Sequence, residues 1–98
     1  MGYIINNGIA YGGSNNIVVG TYQTGELNSY GIIGELPEGV TLENYVIVGH
    51  AMTCSDGTQR INAPSVTVYA TPSGIVARAT DTLYVNQTIH IAFMRIDV

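Results

Sequence analysis

The chain has 98 residues, which suits one small domain, and only 10% of them are charged, with no lysine. The net charge of −4, with Arg60, Arg78 and Arg95 as the cations, provides no basic surface for a phosphate backbone. No apolar run approaches the roughly 20 residues of a membrane-spanning helix, and the N-terminus lacks a secretory pattern. We therefore expect no nucleic-acid partner, no membrane insertion and no secretion.

The first predicted element is a hairpin over residues 3–12. Asn7 and Gly8 lie between two apolar stretches, and an Asn-Gly pair suits the positive φ angles of a type I′ turn. Two strands are predicted next, over residues 16–22 and 30–36. We expect the N-terminal hairpin to act as a docking element.

The middle of the chain continues the β pattern. Residues 37–44 contain turn formers and predict a loop. Residues 45–48 are apolar on both strand faces, which is typical of a central strand buried between two layers. A turn at residues 72–74 joins the predicted strands 65–71 and 75–80.

A second hairpin is predicted at Asp56-Gly57, another dipeptide that suits a two-residue turn. This turn would place Cys54 opposite Gln59 and Met52 opposite Ile61. Cys54 is the one cysteine, so an intrachain disulfide is excluded.

The last predicted strand, residues 88–98, is apolar on both faces. Because successive side chains in a strand point to opposite sides, Ile89, Ile91 and Phe93 share one face, which we expect to join the core. A second apolar row on a small domain usually marks an interaction surface. We therefore predict a subunit interface formed by His90, Ala92, Met94, Ile96 and Val98.

The spacing of seven to nine strands, without an internal repeat or a linker, predicts one all-β domain over residues 1–98. The fold expected is an antiparallel β-sandwich of jelly-roll type, with a small closed barrel as the alternative.

The residues available for catalysis are few. His50 and Cys54 share a strand face about 13 Å apart, given a rise of about 3.3 Å per residue. A catalytic Cys and His pair needs hydrogen-bond contact, so Cys54 is expected to be a small buried or strand-end thiol. His90 is expected to be a core or interface residue, and the chain has no recognised metal-ligand spacing. We expect no catalytic residue, metal or cofactor; a hydrolase using His50 or His90, and an ion held between copies on a symmetry axis, are the alternatives.

Seven of the eight aromatic residues are tyrosines, and the eighth is Phe93. Tyrosine combines an apolar ring with a hydrogen-bonding tip, which favours interfaces and ligand faces. Tyr3, Tyr45 and Tyr84 are expected to pack, and Tyr22, Tyr30 and Tyr69 are expected to be exposed. The predicted ligand-binding residues are Tyr22, Tyr30, Tyr69, Asp56 and Arg78, with the loops 55–58 and 71–74 at one exposed end.

The second half of the chain resembles the distal β-sandwich heads of tailed-phage fibres and receptor-binding proteins. The resemblance rests on the order of the runs 44–49, 64–69, 75–79 and 85–96, which end in an asparagine followed by an alternating apolar strand. It implies a virion structural protein of the tail or capsid surface, made in the bacterial cytoplasm. It also implies a homotrimer that binds cell-surface saccharides without a cofactor.

The chain departs from this family because it begins at Met1 without the shaft or particle-binding segment that usually precedes such heads. We therefore expect either an accessory subunit, such as a capsid decoration or tail component, or a separate head. A second interpretation is a small-ligand-binding or sequestering oligomer with pockets between its subunits.

Overall fold

A computed structural model describes residues 16–97, which form seven strands in two antiparallel sheets. The strands are β1 (Ile17–Gln23), β2 (Ile32–Gly34), β3 (Tyr45–Thr53), β4 (Gln59–Ile61), β5 (Val66–Thr71), β6 (Gly74–Ala79) and β7 (Thr88–Arg95). One sheet has the order β1-β7-β3-β4 and the other β2-β6-β5. The predicted all-β antiparallel fold in one domain is confirmed; the jelly-roll connectivity stays a prediction. The hairpin predicted over residues 3–12 lies outside the described residues.

The core lies between the sheets and is centred on β7. This strand pairs with β1 on one side and β3 on the other, so its inward side chains are enclosed. Ile89, Ile91 and Phe93 are each at most 1% exposed and pack with Met52 and Ile75, which are fully buried. The predicted inward face of the last strand is confirmed.

The three-stranded sheet is built on the β5–β6 hairpin, where Thr71 pairs with Gly74 across a two-residue turn. Side chains alternate along β5, since Val66 faces the core while the neighbouring Thr67 is exposed. Val76 points away from the core but is 2% exposed, since it lies between strands that carry Ile32 and Tyr69 opposite it.

The β3–β4 hairpin has a different register from the one predicted. Thr53 pairs with Gln59 and Ala51 with Ile61, one residue away from the predicted pairs. The cause is the turn: Gly57 N donates to Cys54 O, and Gly57 has a φ of 89°. A type I turn followed by such a glycine makes a three-residue loop with a bulge, whereas the prediction assumed a two-residue loop.

Strand β3 also differs from its prediction. It is an inner strand of its sheet, between β7 and β4, but it is not covered on both faces. Val46 and Val48 are 40% and 49% exposed. Residues 37–44 form the predicted loop, with Val40 buried as its anchor.

The ring of Tyr22 fills a slot between the two sheets. A Cβ atom at Gly20 would lie 2.6 Å from the Tyr22 hydroxyl oxygen, and one at Gly34 would lie 2.6 Å from its Cδ1. The hydroxyl donates a hydrogen bond to Glu35 O at 2.7 Å. Two glycines on facing strands therefore make room for one ring that links the sheets.

The one helical element among residues 16–97 is a 3₁₀ turn, η1 (Thr82–Tyr84), capped by Asp81, whose carboxylate accepts from Leu83 N at 2.9 Å. It brings the ring of Tyr84 into the core. This part of the chain therefore contains no helix with the length and hydropathy needed to cross a membrane.

Candidate functional site

The outer face of the four-stranded sheet carries a continuous group of apolar side chains. Met94 of β7 lies between Ile17 of β1 and Val46 of β3, and Ala92 follows with Val19 beside it. We define the apolar face as Ile17, Val19, Val46, Val48, Ala51, Ile61, Ala92 and Met94. Many of these side chains are open to solvent, with Ile61 77% exposed and Val48 49% exposed.

The apolar face has no charged member. The nearest charges in sequence to Met94 are Arg95, the last residue of β7, and Asp97, which pair with each other at 2.5 Å. The hydrogen bonds from Arg95 lower the pKa of the Asp97 carboxyl, and both side chains are largely in solvent. The apolar face is thus bordered at this end of β7 by an ion pair whose two charges neutralise each other.

His90 lies at the polar end of this sheet surface. Its Nδ1 is 3.0 Å from Thr21 Oγ1 and its Nε2 is 3.4 Å from Thr53 Oγ1. Each hydroxyl can donate or accept, so the two threonines satisfy the ring in either neutral tautomer. These contacts tie His90 to β1 and β3 on the outer face that also carries Ala92 and Met94.

The structure places three of the predicted interface residues, His90, Ala92 and Met94, on this one surface. Ile96 follows the end of β7 and is 49% exposed, and Val98 lies outside the described residues. Sequence reasoning missed the contributions of β1, β3 and β4. Alternation predicts an outward Val19, but only strand pairing places it beside Ala92.

A second surface, on the outer face of the three-stranded sheet, brings together three of the predicted ligand residues. Tyr30 is 65% exposed and its ring centroid lies 4.7 Å from Arg78 Cζ. Tyr69 is 39% exposed and stands on β5, opposite Val76 and diagonal to Arg78. Arg78 Nη2 donates to Asn28 Oδ1 at 3.2 Å. We define the arginine patch as Asn28, Tyr30, Tyr69 and Arg78.

Two predicted ligand residues lie elsewhere. Tyr22 is half-buried between the sheets, contrary to its expected exposure, and burial raises the pKa of its hydroxyl. Asp56 lies in the β3–β4 turn, where it accepts from Thr58 N at 2.9 Å. That hydrogen bond lowers the pKa of Asp56. The structure therefore does not join Tyr22 or Asp56 to the arginine patch.

The two predicted ligand loops do not share one end of the domain. Ser55 N donates to Gln87 Oε1, which ties the β3–β4 loop to the segment that follows Ala79. The other turn, at residues 72 and 73, precedes Gly74 at the opposite end of β6. The prediction failed because sequence gives the loops but not the direction in which each strand runs.

The side chains considered for catalysis form no cluster. Cys54 is buried at 6% exposure, as predicted. His50 is half-buried; its Nδ1 has no hydrogen-bond partner, and burial lowers the pKa of its imidazole. Within residues 16–97 there is no group of three or more His, Cys, Asp or Glu side chains that could hold a metal, and no enclosed pocket.

Comparisons with known proteins add no relative to this description. No family model, curated protein or solved structure matches the chain.

Proposed function

We propose that the chain is a non-enzymatic structural module that assembles with copies of itself through the apolar face. The observation that supports this is the uncharged apolar surface running across β1, β7, β3 and β4. Contiguous exposed apolar surface of this kind favours protein association. A small sandwich gains stability when such a surface is covered.

A second copy suits this surface better than a charged partner. Each copy carries a net charge of −4, so contact between two copies meets the least repulsion where the contact region is free of carboxylates. The apolar face meets that condition. Interfaces between identical subunits are also the more apolar class of interface, with few charged residues at their centre. In a two-fold dimer the apolar faces of both copies would contact each other. In a closed ring the apolar face of each copy would point toward the symmetry axis.

The wider role that we propose follows the resemblance to phage fibre heads. In that role the protein is a homo-oligomer, with a trimer favoured, on the tail or capsid surface of a virion. It would act as a receptor-binding head for cell-surface saccharide, or as a capsid decoration or tail accessory protein. The arginine patch lies on the other sheet, so assembly through the apolar face would leave it accessible to a ligand.

The second candidate is a small-ligand-binding or sequestering oligomer. It is supported by the absence of an enclosed pocket among residues 16–97, because an enclosed site for a small molecule would have to form between copies. Both candidates require self-association, and they differ in what the assembly binds.

Met94→Asp tests the assembly. A carboxylate at the centre of the apolar face would be buried without a partner in each copy, so we expect the oligomer to dissociate to monomers. Light scattering coupled to size exclusion measures the mass directly. Leu83→Asp is the matched control, since Leu83 is 48% exposed on η1 and outside the apolar face.

The control variant should keep the mass of the wild type. A wild-type chain that stays monomeric across the accessible concentration range would rule out the proposed assembly. Equal dissociation of both variants would instead place the interface somewhere other than the apolar face.

A further inference from the structure

Arg78 stands out among the three arginines. Arg95 has a carboxylate partner in Asp97, and Arg60 is exposed on the short strand β4. Arg78 is half-buried on the inner strand of its sheet, and no carboxylate of the described chain lies within ion-pair distance of it. Among the three arginines, Arg78 alone is partly shielded from water without a carboxylate partner, which an incoming anion could supply.

The guanidinium is oriented rather than free. The Tyr30 ring covers it from one side at 4.7 Å, and Asn28 Oδ1 accepts from Nη2 at 3.2 Å. Asn28 holds that position with a φ of 60°, and its backbone N donates to Ala79 O at 2.8 Å. The loop before β2 thus positions the guanidinium through the Tyr30 ring on one of its faces and through the hydrogen bond from Nη2 to Asn28.

Most of the donors of Arg78 are unused. A guanidinium has five N–H groups, and one hydrogen bond, to Asn28, accounts for a single one of them. Nε is shielded from solvent and has no hydrogen-bond partner. The remaining donors on the Nη atoms have the parallel geometry that suits the two oxygens of a carboxylate.

The surroundings indicate what the carboxylate would be attached to. Tyr30 and Tyr69 offer exposed rings on either side of Arg78, and aromatic faces pack against flat rings or the C–H face of a sugar. Thr67 is exposed directly opposite Arg78 on β5 and adds a hydroxyl group.

We propose that the arginine patch binds a carboxylate carried on a six-membered ring. Arg78 takes the carboxylate, and the two tyrosines contact the ring. Two sources share this chemistry, an acidic sugar and an aromatic acid. The proposal does not depend on self-association, since the patch and the apolar face lie on different sheets.

Titration of ¹⁵N-labelled protein followed by NMR tests the proposal, with sodium glucuronate and sodium benzoate as probes. We expect saturable shifts at Arg78 and its neighbours for at least one of them, and none for the neutral analogues glucose and benzyl alcohol. The probe that saturates at lower concentration identifies the source. Arg78→Gln should weaken binding at least about tenfold, because it removes the charge and the paired donors.

Arg60→Gln is the matched control, since it makes the same charge change on the other sheet and should leave the shifts as they are. Tyr30→Leu, which keeps the arginine, should weaken binding several-fold and covers the case in which Arg78→Gln does not fold. Shifts that do not saturate, that are equal for neutral analogues, or that survive Arg78→Gln in a folded chain would overturn the proposal.

Discussion

At the scale of single residues, His50 couples stability to pH. Its backbone is fixed at both ends by Asn62, whose Oδ1 accepts from His50 N at 2.8 Å and whose N donates to His50 O at 2.7 Å. Its ring is half-buried with Nδ1 unpartnered, so burial lowers its pKa below the ordinary value of about 6.5. The folded chain therefore resists taking up this proton more than the unfolded chain does.

The sign of the pH effect follows from that difference. Below about pH 6.5 the unfolded state binds the proton first, so the free energy of unfolding falls as pH decreases toward the lower folded pKa. His50→Gln should flatten this part of the profile. Urea unfolding at pH 7.5 and 5.5 measures it, with pH 8.5 as the reference at which neither form titrates. An unchanged slope in His50→Gln would contradict this assignment.

At the scale of elements, the β3–β4 hairpin depends on the backbone of Gly57. Its φ of 89° is strained for most side chains, although a Cβ atom there would meet nothing within 4 Å. Gly57→Ala should therefore destabilise the fold by about 1–2 kcal/mol through backbone conformation alone. Gly57→Asn should cost less, because asparagine tolerates this region. Thermal or urea unfolding compares the two, and an equal loss would point to a side-chain clash instead.

The same hairpin shows where sequence prediction works and where it stops. The Asp-Gly pair predicted the position of the turn. It did not predict the register, because Asp-Gly occurs in two-residue and in three-residue hairpin loops, and the two loop lengths pair the strands differently. Alternation in β7 predicted which of its side chains enter the core. It could not show that Ile17 and Val46 flank Met94, because pairing between distant strands is decided by the packing of the whole sheet.

For the candidate surfaces, too, the sequence predicted individual residues but not which of them lie together. Arg78 and Tyr30 are 48 positions apart, and the sequence predicted both as ligand residues without showing that they touch. Tyr22 carried the same compositional signal but lies between the sheets. The difference depends on Gly20 and Gly34, which leave room for its ring on the inside.

At the scale of the whole molecule, assembly and folding should be linked. If copies associate through the apolar face, the unfolding midpoint rises with protein concentration by mass action. For a chain of 98 residues we expect a rise of roughly 3–5 °C per tenfold increase in concentration. Calorimetry over a hundredfold concentration range measures this. Met94→Asp should have a midpoint independent of concentration, and a flat wild-type curve would contradict the link.

The Tyr22 slot has a consequence for how this sequence can vary. Gly20 and Gly34 lie in different sheets, yet the same ring limits what each can become. A larger residue at either position becomes acceptable only after position 22 has become smaller, and a smaller residue at 22 leaves a void unless one glycine is replaced. Substitutions at positions 20, 22 and 34 should therefore be coupled during evolution, and the order in which they occur decides which combinations keep a stable fold.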